Sequence, residues 1–206
     1  MKFVCMSDTH ELHDQFKVPD GDVYINAGDF TNLGTEGAII SFNKYLATLP
    51  HQYKIIIAGN HDFLFERSPK RAESLLTDCL YLNDSAVVID DIKIYGSPYS
   101  PWFHNWAFNL HRGKPLRDKW ALIPKDTDIL ITHGPPLGHG DLVDNSPEGC
   151  EDLLNSIQKI NPSYHIFGHI HEGYGITKEG KTTCINASSV DEKYKPINQP
   201  IIFEIK

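Results

Sequence analysis

The sequence predicts an α/β fold built around parallel strands, and three observations predict it. Five short apolar runs each end abruptly in polar residues: Phe3–Met6, Val23–Ala27, Lys54–Ala58, Asp128–Ile131 and Tyr164–Phe167. An amphipathic helix over Glu36–Leu49 joins the second run to the third, with Ile39, Ile40, Phe42, Asn43, Leu46 and Ala47 spaced for one largely apolar face. Strand, helix and strand in that order favour parallel pairing. At 206 residues, one domain over 1–206 is the expectation, and two packed sheets fit within it.

Each element has its own signal. Phe3–Met6 runs into Ser7-Asp8-Thr9-His10, and Val23–Ala27 into Gly28-Asp29. The Lys54 strand carries Ile55, Ile56 and Ile57 in succession, stops at Gly59, and is followed by Asn60, His61 and Asp62. Ser68 starts a shorter helix, with Pro69 in its first turn and Leu75-Leu76 at its end. Ala86–Ile89 and Ile92–Tyr95, joined at Asp90-Asp91, read as a hairpin. Tyr99–Phe108 holds five aromatics in ten residues without a clean period. It reads either as a loop folded onto the sheet edge or as an aromatic wall for a base or aryl group. Arg112–Leu122 reads as a helix, Gly138-His139-Gly140-Asp141 as a flexible turn and Cys150–Lys159 as another helix. Tyr174–Thr177, Thr182–Asn186 and Ile201–Ile205 read as antiparallel strands.

The strand ends carry the chemistry. Asp128–Ile131 leads into Thr132-His133-Gly134, and Tyr164–Phe167 into Gly168-His169-Ile170-His171. In open α/β sheets, ligands bind where parallel strands end. Side by side, the five ends bring Asp8, His10, Asp29, Asn60, His133, His169 and His171 to one rim, the inventory of a two-metal site. In extended chain, residues two apart share a side, so Asp8/His10 and His169/His171 read as converging pairs. Each motif alone also has a bland reading as a surface turn or a satisfied loop histidine. Five strand ends carrying complementary ligand types outweigh it. His13, His51, His104, His111 and His165 read as non-ligands.

Composition narrows the substrate. A net charge of −8 argues against a long nucleic-acid partner, which needs Lys and Arg to neutralise phosphates. A small phosphate ester stays compatible, because bound cations supply the local positive charge. Cys5, Cys79, Cys150 and Cys184 are far apart with no C-x-x-C pair, which reads as free thiols in a reducing, cytoplasmic setting. No apolar stretch reaches the roughly 18 residues of a membrane span, and no signal peptide is evident.

The ordered set D-x-H, G-D, G-N-H-D, T-H-G and G-H-x-H resembles the calcineurin-like metallophosphoesterases. Agreement is closer with their metallophosphoesterase-domain-containing group of small phosphodiesterases. It extends over I-Y-G-S-P at 94–98, P-W-F at 101–103, T-H-G-P-P-L-G-H-G-D at 132–141, F-G-H-I-H-E-G-Y-G at 167–175 and I-N-A-S at 185–188. The resemblance implies a four-layer α-β-β-α sandwich with two mixed sheets and the dinuclear site at the strand ends. It implies that Asp8, His10 and His171 hold one metal and that Asn60, His133 and His169 hold the other, with Asp29 bridging. His61 would serve the leaving oxygen as general acid, oriented by Asp62, and the metals would share the attacking hydroxide. Asn60, His61, His139 and Trp102 are the substrate-contact candidates.

Two divalent ions are implied, Mn first, with Fe, Zn, Co or Ni also suited to His, Asp and Asn ligands. With Asp8, Asp29 and one hydroxide, two dications leave one net positive charge. Such a site attracts a monoanionic diester but does not exclude a dianionic monoester. The stretch Gly28-Asp29-Phe30-Thr31-Asn32 lacks the acidic and arginine residues of the protein-phosphatase branch, which speaks against phosphoprotein substrates. The expected function is hydrolysis of small phosphodiesters, 2′,3′-cyclic nucleotides and aryl diesters among them. A phosphomonoesterase or phosphotriesterase on the same site, or a nucleotide-binding scaffold, are the alternatives.

Overall fold

Side-chain alternation along the strands sorts the apolar residues into three separate cores. In the computed structural model, which describes residues 1–205, β1 (Lys2–Met6) sends Phe3 and Cys5 to one face and Met6 to the other. The next strand, β2 (Val23–Asn26), does the same with Val23 and Ile25 against Tyr24. Helix α1 (Glu36–Thr48) opens on Thr35, whose Oγ1 accepts the Ala38 N–H at 3.2 Å, and buries Ile39, Phe42 and Leu46 against the Tyr24 face. Next come β3 (Tyr53–Ile56), the short helices α2 (Phe63–Arg67) and α3 (Pro69–Leu75), and β4 (Leu80–Tyr81).

The second half repeats the plan. A hairpin of β5 (Ser85–Ile89) and β6 (Ile92–Ser97) is followed by the two-residue strands β7 (Ser100–Pro101) and β8 (Asn109–Leu110), which pair with each other at the ends of the aromatic loop. Then come α4 (Lys114–Trp120), β9 (Ile129–Thr132) and the small pair β10 (Leu142–Val143) and β11 (Ser146–Pro147). The chain finishes with α5 (Glu151–Ile160), β12 (Tyr164–Phe167), β13 (Gly175–Glu179), β14 (Thr182–Asn186) and β15 (Ile201–Glu204).

Two mixed sheets result, ordered β15-β1-β2-β3-β4 and β13-β14-β12-β9-β6-β5. Their inner faces share one core of Phe3, Cys5, Ile25, Ile55, Ile129, Ile131, Ile166 and Ile185. α1 and α3 cover the outer face of the first sheet, while α4 and α5 cover the second with Leu116, Trp120, Leu153 and Ile157. This is the expected four-layer α-β-β-α sandwich. Strands β1, β2, β3, β9 and β12 all have parallel neighbours and end on the same rim, joined across the sheets by the bridge Ser7↔Ser188.

The carboxy-terminal strands match the sequence reading in part: β13 and β14 do pair antiparallel. The three do not form one antiparallel group: β14 lies parallel to β12, and β15 crosses to the first sheet, antiparallel to β1. Phe203 decides that placement by stacking between Phe3 at 4.7 Å and Tyr164 at 3.9 Å. The four cysteines are unpaired, and among the described residues no helix is long and apolar enough to cross a membrane.

Candidate metal centre

Each strand must turn its last residues back over the rim, and the turning residue pays in backbone conformation. Asp8 (φ 53°), His10 (φ 42°), Asp29 (φ 52°) and His169 (φ 70°) are all left-handed. That conformation costs about 1–2 kcal/mol per residue, less for Asp and His than for bulkier types. Four such residues among seven ligand candidates mark a site where geometry outranks local stability. Convergence therefore comes from left-handed turns, not from the extended-chain alternation expected for D-x-H and H-x-H. The second pair in fact divides: His171 joins Asp8 and His10, whereas His169 joins Asp29 and His133.

In the first group, the Nε2 atoms of His10 and His171 face each other at 3.4 Å, with Asp8 Oδ1 3.8 Å from the latter. His171 Nδ1 donates to the Asp191 carbonyl at 3.1 Å, which leaves the Nε2 lone pair facing inward. Asp8 accepts Ser188 Oγ–H at 2.6 Å and the His169 N–H at 3.0 Å. In the second group, His133 Nδ1 donates to the Ala27 carbonyl at 2.9 Å. Its Nε2 then lies 2.8 Å from Asn60 Oδ1 and 3.2 Å from Asp29 Oδ2. Two oxygens converging on an imidazole nitrogen call for positive charge, a proton on His133 or a cation, and a backbone carbonyl fixing His133 and His171 is the arrangement that metal-ligating histidines use.

Asp29 stands between the groups. Its Oδ1 accepts the His61 N–H at 2.7 Å, and its Oδ2 faces His133 at 3.2 Å and His10 at 4.0 Å. No Cβ fits opposite it, because one on Gly59 would overlap Asp29 Oδ1 and come within 2.6 Å of His133 Cε1. Electrostatics agree with a cation site. Burial disfavours both carboxylates, but the surrounding histidines hold Asp8 and Asp29 below the usual carboxylate range. Burial likewise opposes a charged ring at His133, and Asp29 outweighs it, pushing His133 up to about 9. Burial pulls His10 and His169 down to about 4, so their lone pairs are available at neutral pH.

His61 projects at the edge of the cluster, its Nε2 4.0 Å from Asp29 Oδ2. The expected orienting role of Asp62 is not what the structure shows. His61 Nδ1 donates instead to the Asn32 carbonyl at 2.8 Å. Asp62 is fully buried and accepts the N–H groups of Asp29, Thr31 and Gly59 and the Thr31 hydroxyl at 2.7–3.0 Å. It fastens the Asp29 turn to the Asn60 turn. Burial, with Asp29 alongside, pushes it up to about 7, while those four donors favour its charged form.

A cleft of about 430 Å³ opens over the cluster, and Asn60, His61, His169 and His171 form its floor. Trp102, expected at the pocket, is there and 49% exposed, beside Phe103, Trp106 and Tyr194. His139 is not in the lining. Its Nδ1 meets Thr177 Oγ1 at 2.9 Å and its Nε2 meets Glu179 at 3.1 Å, which ties a loop to β13. The flanking glycines suggested mobility, but Asp141 fastens the turn by accepting the N–H groups of Gly138 and Gly149. Three participants escaped the sequence reading: Ser188 on Asp8, Trp106 against His61, and Tyr194 edge-on to His10 at 4.8 Å and to His171 at 5.2 Å. Trp106 lies within the aromatic run and Ser188 within the I-N-A-S stretch already noted, neither given a role from sequence, whereas Tyr194 carries no local signal.

The calcineurin-like phosphoesterase family pattern matches residues 1–173. Metallophosphoesterase domain-containing protein 1 of Homo sapiens is 46% identical over 230 residues, covering 99% of this chain and 71% of that protein. UPF0046 protein T07D4.2 of Caenorhabditis elegans is 42% identical over 237 residues, covering 100% of this chain and 60% of that protein. A solved structure of TT1561 from Thermus thermophilus superposes with a TM-score of 0.58 at 15% identity, over 90% of this chain and 88% of that one, a likeness of fold.

Proposed function

The chain belongs to the calcineurin-like phosphoesterase family, and on that premise we propose that it is a metal-dependent phosphodiesterase acting on small diesters, 2′,3′-cyclic nucleotides and aryl diesters first. Asp8, His10 and His171 would hold one divalent cation, and Asn60, His133 and His169 the other, with Asp29 Oδ2 shared between them. When bound, the cations supply positive charge for the phosphoryl oxygens and an activated water as nucleophile. Mn²⁺ is the first candidate for both. Asp29 Oδ1 is occupied by the His61 N–H, which leaves Oδ2 for the shared role. His61 presents Nε2 to the cleft while Nδ1 is held by Asn32, the posture of a group that gives a proton to the leaving oxygen.

The observation that carries the diester preference is the engagement of Arg112. It is the one Lys or Arg among the cleft-lining residues, and it donates to the carbonyls of Gly149 at 2.6 Å and Glu148 at 2.8 Å. A free guanidinium could pair bidentately with the oxygens of a dianionic monoester, and Arg112 is already committed to two carbonyls. Here the extra charge would meet Glu148, Glu172 and Glu192 at the rim instead. A small substrate, no long nucleic acid, and a reducing cytoplasm suited to four unpaired cysteines belong to the same proposal.

Initial rates on metal-stripped protein, with and without Mn²⁺, against bis(p-nitrophenyl) phosphate and p-nitrophenyl phosphate test it. Mn-dependent turnover of the diester well above the monoester is expected. A monoester preference would make it a phosphatase, and metal uptake with neither ester hydrolysed would make it a binding protein.

A further inference from the structure

Among the described residues, no side chain hydrogen-bonds the His61 ring. Its Nδ1 reaches only a backbone carbonyl, that of Asn32, its Nε2 stays 4.0 Å from Asp29 Oδ2, beyond hydrogen-bond reach, and its other contacts are faces and edges of other rings. The Trp106 indole lies 4.2 Å from it, centroid to centroid, at 35°. Behind Trp106 the stack continues to Phe63 at 5.5 Å, and the Arg67 guanidinium sits 4.6 Å over the Phe63 ring. Phe63 and Arg67 stand four apart on α2, so they share one face of it. On its other side, His61 meets the edge of His10 at 4.7 Å. The loop carrying Trp106 is also tied to the residue before His61, since the Ala107 N–H donates to the Asn60 carbonyl at 3.2 Å. The Phe108 N–H donates to Glu66 of α2 at 2.7 Å. The aromatic loop is therefore built onto the Asn60-His61 turn at two points and onto α2 at a third.

We propose that Trp106 is the positioning residue of His61: its indole face fixes the ring plane so that Nε2 stays directed at the leaving oxygen. The proposal rests on the reading that His61 serves that oxygen. A single hydrogen bond at Nδ1 leaves the ring free to tilt about that contact, and the indole face removes that freedom. Because Trp106 also lines the cleft, a competing role exists as a platform under the substrate's organic group. The two roles separate in kinetics. A platform contributes to binding and its loss raises KM, whereas a positioning residue contributes only when the leaving group needs a proton.

The test compares methyl p-nitrophenyl phosphate, with a good leaving group, and methyl phenyl phosphate, with a poor one, in Trp106→Ala, Trp106→Phe and His61→Ala proteins of measured metal content. Trp106→Ala should lower kcat on the phenyl ester about tenfold or more, keep the nitrophenyl ester within about twofold, and leave KM and metal content unchanged. Trp106→Phe should restore most of the loss. An equal loss on both esters, or raised KM with intact kcat, overturns the proposal. In metal-free protein, the His61 Nδ1–H proton resonance should persist in Trp106→Phe and vanish in Trp106→Ala. If His61→Ala shows no leaving-group dependence, the acid role itself falls. The resonance then decides alone: its survival in Trp106→Ala sinks the positioning of His61 by Trp106, and its loss upholds it.

Discussion

His61 and Ser188 show at the scale of single residues how the centre divides its work. His61 touches the candidate ligand Asp29 through its backbone N–H, and its ring nitrogen stays 4.0 Å from Oδ2. Truncating the ring should therefore leave the metals in place. His61→Ala is expected to keep full metal content by elemental analysis while losing about 10²–10⁴-fold in rate on poor leaving groups and far less on p-nitrophenyl esters. Unchanged turnover of a poor leaving group would remove His61 from the chemistry. Ser188 is the reverse case. Its hydroxyl donates to Asp8 Oδ2 at 2.6 Å and does not line the cleft, so it orients a candidate ligand. Ser188→Ala should weaken Mn²⁺ binding about 10–100-fold in a calorimetric titration. Binding of wild-type strength would reduce Ser188 to packing.

At the scale of elements, the strand-to-turn junction is the unit that matters, and glycine is its hinge point. A Cβ on Gly168 would overlap Asp8 Oδ2 and Ser7 Oγ, so the β12 turn approaches the β1 turn as closely as a chain can. Gly168→Ala should displace Asp8 and abolish tight metal binding, with sheet and helix content retained by circular dichroism. Gly180, at the β13–β14 turn with φ 55° and nothing near its absent Cβ, is the control. Gly180→Ala should lower stability by about 1 kcal/mol from backbone strain alone, with metal affinity untouched. These junctions were legible in sequence because parallel strands buried on both faces read as unbroken apolar runs, so the polar residue after each run stands out. The two-residue strands β4 and β7 and the single-turn helix α2 were not, since they are too short to express a period or an apolar run. The placement of β15 depends on Phe203 meeting Phe3 and Tyr164, contacts some 200 and 40 residues distant that no local pattern records. Asp62 and His139 were misjudged for a related reason. Their neighbours in sequence suggested chemistry, but their hydrogen bonds run to Asp29, Thr31, Thr177 and Glu179.

For the whole molecule, the centre couples stability to pH and to metal. Strand ends of two sheets meet there, so Asp8, Asp29 and five histidines are packed at the seam that the Ser7↔Ser188 bridge and the hydrogen bonds of His133 to Ala27 and of His169 and Ser188 to Asp8 hold together. In metal-free protein, a proton on His133 is what offsets Asp29. His133 is raised by Asp29 from its ordinary 6.5 to about 9, so its contribution to stability is complete below pH 6.5 and disappears as pH rises through 9. Asp8 and Asp29 lie below the ordinary carboxylate range and stay ionised throughout this interval, leaving two buried negative charges exposed to each other's field. A bound divalent cation would replace the proton and would not leave at alkaline pH. Thermal stability of the metal-free protein should thus fall between pH 6.5 and 9, while that of the Mn²⁺-loaded protein falls much less. The gap in Tm should widen with pH, and metal binding itself should add about 2.7 kcal/mol of stability when free metal is 100-fold above its dissociation constant. Binding at pH 7.5 should also release about one proton from His133 and a further fraction from His171, which Asp8 holds above its ordinary value against the pull of burial. Calorimetry in two buffers of different ionisation enthalpy measures that release directly. A metal-induced shift in Tm that is flat from pH 6.5 to 9, with no proton release, would mean that the cation does not occupy the position facing His133.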